Sequence, residues 1–124
     1  MIRPIDFLEC AKKYVGQSET DNRTAASRAY YAVYHACKEI ALNNGYDAYI
    51  QKAKPQCGDH KKLELFFEYK HQKEIADLLR TMKSIRHMAD YALGEKFFKA
   101  TAQKQIEKAE ILLHKVEILK VKSF

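Results

Sequence analysis

The sequence predicts an all-α fold: an up-and-down bundle of four main helices with a short additional helix. Apolar residues recur at three- and four-residue spacing along most of the chain. Only four glycines and two prolines interrupt its 124 residues, so the elements should be long. No segment alternates apolar and polar residues well enough to read as a strand.

The first helix should start at Pro4, because proline suits a first helical position, and stop at Gly16. Phe7, Leu8, Ala11, Tyr14 and Val15 form its apolar face. Ser18 followed by Asp21 resembles a capping box for a second helix that runs to about Asn44, with Gly45 as its cap. Residues 46–60 stay unassigned: Pro55, Gly58 and Asp59 break regularity, while Tyr46, Tyr49 and Ile50 suit a loop packed on the bundle. A short helix over Lys61 to Tyr69 precedes a longer one carrying Ile75, Leu78, Leu79, Met82, Ile85 and Ala89, ended by Leu93-Gly94. An irregular stretch holds Phe97 and Phe98. The last helix spans about Thr101 to Leu119, with Ile106, Ala109, Leu112, Leu113 and Val116 inward.

Residues 1–124 read as one domain, long enough for its own core, and a hydrophobic content of 47% argues against disorder. The net charge of +6 mildly favours anionic partners. Cys10, Cys37 and Cys57 are odd in number and form no CxxC pair, which fits a reduced setting. With no signal pattern and no bilayer-length apolar run, the expectation is a soluble cytoplasmic chain without a membrane role.

The run Ser27-Arg28-Ala29-Tyr30-Tyr31-Ala32-Val33-Tyr34-His35-Ala36 is the most informative. At about 100° per residue, Arg28 and His35 are only about 20° out of alignment, two turns apart. Ala25, Ala29, Ala32 and Ala36 form a small-residue stripe that lets another helix approach. Thr24, Arg28, Tyr31 and His35 lie beside that stripe, so Arg28 and His35 are expected at the flank of a packed seam. Two readings stay open. In one, Arg28 pairs with an acid from another helix and His35 bonds a carbonyl. In the other, Arg28 grips a phosphate and His35 moves a proton or donates a hydrogen bond.

A second cluster, Arg86-His87-Met88-Ala89-Asp90-Tyr91, falls in a later helix. Arg86 and Asp90 are four apart and can pair along it. Asp90 is also a candidate acid for Arg28, which would bring Arg28 and His35 close to Asp90 or Tyr91. Losing Arg28 would then cost about 3–5 kcal/mol, as for a broken buried pair. Arg80 and His87 repeat the seven-residue spacing, but a solvated salt-bridge lattice explains Arg80 better.

At these residues the chain resembles the HEPN superfamily of small helical domains. The run at 27–36 is similar to the family's second-helix signature, and Arg86-x-x-Ala89-Asp90-Tyr91 to its later one, with helix order matching over roughly residues 4–120. Many members are metal-independent ribonucleases, often toxins paired with a minimal nucleotidyltransferase antitoxin, and two domains dimerise so that their motifs share a cleft. Their signature is an arginine, four to six residues, then a histidine. The arginine would stabilise phosphate charge in the transition state and the histidine would act as general base or acid. Here the residue after the four that follow Arg86 is Tyr91, a poor base with an ordinary pKa of about 10. The fold therefore transfers more readily than the nuclease activity does.

The resulting expectation is a homodimer in a toxin–antitoxin or nucleotidyltransferase-associated system, with RNA or a nucleotide as ligand and metal-independent RNA cleavage as the activity if it is an enzyme. The alternative is a non-enzymatic dimeric interaction module whose Arg/His/Asp network is structural. The catalytic candidates are Arg28, His35, Arg86, His87 and Tyr91, with Tyr31 and Asp90 as structural or ligand-orienting residues. No metal ligand set and no cofactor are expected. Cys57, His60 and His71 match no standard zinc spacing, and no glycine-rich phosphate loop is present.

Overall fold

The computed structural model describes residues 1–122 and 124. In chain order it contains α1 (Pro4–Tyr14), α2 (Glu19–Leu42), α3 (Tyr46–Ala53), α4 (Asp59–Tyr69), α5 (Lys73–Tyr91) and α6 (Lys99–Lys120). Among the described residues there is no strand, so the fold is all-α as the periodicity requires.

Local chemistry sets the helix ends. Pro4 opens α1, and the Asp6 carboxylate accepts from the Arg3 backbone N–H at 2.8 Å, closing the first turn. Ser18 caps α2 by accepting from the Asp21 N–H at 3.0 Å. Gly16, at φ +89°, makes the left-handed turn between α1 and α2, and its N–H donates to Asn22 Oδ1 at 2.7 Å. Gly45 takes the same φ between α2 and α3.

Among the described residues the helix count is six, one more than expected. The addition is α3, inside the segment left unassigned. Eight residues make about two turns, too few for a 3.6-residue pattern to stand out beside Pro55 and Gly58. Tyr46 anchors it: the ring is buried, edge-on to Phe66 and capped by the Lys38 ammonium at 4.2 Å.

α2 is the central element and packs on α1, α6, α5 and α4. Ala25, Ala29, Ala32 and Ala36 are buried, and so are Ala26, Tyr30, Val33 and Cys37 on the adjoining face. So much of α2 is covered that Arg28, His35, Glu39 and Leu42 form a narrow exposed strip at helical spacing. The core is completed by Leu63, Phe66 and Phe67 of α4, Leu79 and Met82 of α5, and Ala102, Ala109, Leu112 and Val116 of α6. One polar side chain sits inside it. Gln105 of α6 is 1% exposed and donates from Nε2 to Met82 O at 2.8 Å and Ala26 O at 3.5 Å, joining three helices.

No helix among the described residues is long and apolar enough to cross a membrane.

Candidate functional site

The small residues of α2 and the inward face of α5 bring Ser27, Tyr30 and Tyr31 opposite Arg86 and Asp90. Asp90 Oδ2 accepts from Ser27 Oγ at 3.3 Å and from Arg86 Nη1 at 3.4 Å. The Arg86 guanidinium lies over three tyrosine rings, 5.6 Å from the centroid of Tyr30, 5.9 Å from Tyr31 and 6.0 Å from Tyr91. Its side chain is 12% exposed. Asp90 is its one hydrogen-bond acceptor among the described residues, and its buried Nε has none. Aromatic faces hold a cation without consuming its N–H donors. Arg86 is thus a positioned, largely desolvated cation with donors to spare, which suits a planar oxyanion such as a phosphate.

α4 adds a histidine to the same aromatic group. His60 Nδ1 lies 2.6 Å from the Tyr30 hydroxyl, and its ring packs 4.5 Å from Tyr34 and 6.5 Å from Tyr31. Burial pushes the Tyr30 phenol up, and the Glu64 carboxylate pushes it further, so it stays protonated. Burial also lowers the proton affinity of His60, with the charges of Arg86 and Lys83 adding to the effect. Below these rings, Glu64 is 1% exposed and ringed by Lys83 Nζ at 2.5 Å, Arg80 Nε at 3.4 Å and Lys61 Nζ at 3.7 Å. Arg80 also pairs with Glu68 and, at 2.9 Å, with Asp77, forming the lattice expected of it.

The other residues singled out in the sequence lie at the edge of this arrangement or outside it. Arg28 is exposed and makes no ion pair among the described residues, which corrects its expected burial against Asp90 or Tyr91. The cause is the packing of α2: both faces beside the alanine stripe are covered, and position 28 falls on the remaining solvent strip. Arg28 and Asp90 still line one shallow concavity of about 330 Å³, with Thr24 and Ser27 between them. His35 shares the Arg28 strip, as its spacing requires. Its ring contacts are with Phe7 of α1 at 5.2 Å, Tyr31 at 6.2 Å and Tyr34 at 5.4 Å, so it too departs from the expected position beside Asp90 or Tyr91. His87 and Tyr91 are exposed, and their rings pack 4.7 Å apart. Tyr31 is half-buried between Arg86, His60 and His35. A groove of about 460 Å³ between α1, α2 and α6 contains none of the candidate residues. Among the described residues, no three His, Cys, Asp or Glu side chains cluster to hold a metal ion.

Two important residues escaped the sequence reading. His60 belongs to no motif of its own, yet the four-residue spacing of Tyr30 and Tyr34 marks one face of α2 as an aromatic seat. Arg23 stands in no sequence pattern. It is 13% exposed and donates to the carbonyls of Met88 (3.2 Å), Ala89 (3.0 Å), Ala92 (3.1 Å) and Glu95, with Glu19 at 3.7 Å and the Phe97 ring at 5.5 Å. It closes the C-terminal end of α5, where carbonyls lack helical partners.

The tyrosine-lined arginine and the Arg-x-x-Ala-Asp-Tyr run thus lie together at the C-terminal end of α5 in a helical domain. Comparison with known families matches residues 5–119 to the HEPN domain, nearly the whole chain, and the protein belongs to that family. Neither the curated proteins nor the solved structures compared with it give a match. HEPN domains are often linked to ribonuclease or nucleotidyltransferase-associated systems.

Proposed function

We propose that this HEPN protein is the helical member of a toxin–antitoxin or nucleotidyltransferase-associated system and works as a cytoplasmic homodimer. Its ligand is the phosphate of an RNA or nucleotide, received by Arg86. One observation carries this reading: among the described residues, Arg86 is nearly buried yet keeps an unpartnered Nε and a single acceptor 3.4 Å away. A purely structural guanidinium at that depth is normally saturated, because each stranded buried donor costs about 1–3 kcal/mol. Asp90 and Tyr31 orient Arg86, and Arg28 stands free at the rim of the adjoining concavity to meet a second phosphate or the nucleotidyltransferase-type partner.

If the protein cleaves RNA, Arg86 stabilises the phosphate oxygens and a histidine moves the proton of the attacking hydroxyl. His35 and His87 are the histidines on the helices that carry the two sequence runs. The test is incubation of the purified chain with RNA in the presence of a chelator. Activity that survives and falls about 10²–10⁴-fold in His35→Ala or His87→Ala identifies the enzyme and its proton-transfer group. Thermal stabilisation by nucleotide without cleavage identifies a binding module. Absence of both, with Arg86→Ala affecting only stability, assigns the network to the fold.

A further inference from the structure

His60 is the one histidine whose ring nitrogen is held by a side-chain hydrogen bond among the described residues. It comes from α4, outside both sequence runs, yet it flanks the same tyrosines as Arg86. Its ring centroid is 5.5 Å from Tyr30 and 6.5 Å from Tyr31, while the Arg86 guanidinium carbon is 5.6 Å and 5.9 Å from those two rings.

The bond to Tyr30 dictates which imidazole nitrogen is free. Tyr30 is 1% exposed and its hydroxyl meets no acceptor other than His60 Nδ1 among the described residues, so the O–H donates and His60 Nδ1 accepts. The neutral ring then carries its hydrogen on Nε2, which has no partner among the described residues and is not sealed among the buried unpartnered atoms. The charged groups around the ring favour that neutral form. Burial disfavours a second proton most, and Arg86 and Lys83 of α5 act in the same direction against Asp59 and Glu64 of α4.

We propose that His60 is a second phosphate-binding residue: its Nε2–H donates to the same phosphate-bearing ligand that Arg86 grips, and Tyr30 fixes the tautomer that makes this possible. The proposal rests on the reading of Arg86 as an anion seat and adds a donor from another helix. It makes recognition depend on the α4–α5 packing as well as on the arginine motif. The ligand class is a phosphate mono- or diester.

The experiment uses the full chain with imidazole nitrogens labelled with ¹⁵N, titrated with inorganic phosphate and then with adenosine monophosphate. The free protein is expected to show His60 as a single tautomer protonated at Nε2, and that nitrogen is expected to shift on binding. Arg86→Ala should weaken binding about a hundredfold. His60→Asn, which removes the Nε2–H, should weaken it by at least about tenfold, the value of one hydrogen bond to a charged acceptor. His60→Gln, which restores an N–H at that position, should recover part of the loss. Tyr30→Phe should leave a mixture of tautomers. Binding that needs Arg86 but is equal in wild type and His60→Asn overturns the role of His60 and leaves the anion seat standing. No phosphate binding by wild type, or equal binding by Arg86→Ala, overturns both. A His60 resonance protonated at Nδ1, or one that phosphate does not move, refutes the proposal even if the position 60 variants fail to fold.

Discussion

Arg23 and Arg86 are alike by most measures and opposite in their bonding. Both lie in the seam between α2 and α5, and their side chains are 13% and 12% exposed. Arg23 spends its donors on four carbonyls and a nearby carboxylate and touches one ring. Arg86 makes one long contact with a carboxylate and lies over three rings. The first is saturated and belongs to the fold. The second is positioned but unfilled, which is how a cation waiting for an anion should look. Burial alone does not separate the two roles; the census of acceptors does.

Substitution should pull the pair apart. Arg23→Ala strands several carbonyls at the end of α5 and should cost about 3 kcal/mol, read as a lowered denaturation midpoint with faster amide exchange around residues 88–97. Arg86→Ala should cost less, about 2 kcal/mol, since it removes one long bond and desolvated aromatic contacts but also an unpartnered buried Nε. Its larger effect should be the loss of phosphate binding. If the stability costs came out reversed, Arg86 would be the structural arginine and the anion reading would fall.

A smaller effect comes from pH. His60 binds its proton less readily in the folded state than in the unfolded chain. Below an unfolded pKa of about 6.5, the unfolded state takes up a proton that the native state refuses. The stability due to neutral His60 is therefore full above about pH 6.5 and declines as pH falls, until the folded group itself titrates. Urea midpoints compared at pH 7.5 and 5.5 should show this slope in wild type and a shallower one in His60→Asn. The smallest effect should be at Arg28. Exposed and unpaired, its replacement by Ala should change stability by no more than about 0.5 kcal/mol, in place of the 3–5 kcal/mol that a buried pair would lose.

What the sequence revealed follows from the range of each interaction. Helices α1, α2, α5 and α6 were legible because each repeats its apolar pattern over three or more turns. The Arg86–Asp90 pair was legible because both ends sit on one helix at i, i+4. Arg23 was not: its acceptors are backbone carbonyls 65 to 72 residues away, and carbonyls leave no mark in a sequence. The His60–Tyr30 bond was hidden for a related reason, since it depends on how α4 lands on α2. Arg28 and His35 share a face as their spacing said. Whether that face met protein or water was a question about the neighbours of α2.

Gln105 has a consequence for uniqueness. α6 carries apolar residues outside its buried face too, with Ile111 and Ile118 exposed. Such a helix can bury a similar amount of oil after rotating by a residue or sliding by a turn. A carboxamide cannot. Moved by one position, its N–H would face hydrocarbon in place of Met82 O, and Ala26 O would lose its contact. Gln105 thus acts as a key that admits one alignment of α6, at the expense of its own buried Oε1, which has no partner among the described residues. Filling the position with leucine would exchange an indexed core for a greasier one able to settle in more than one register.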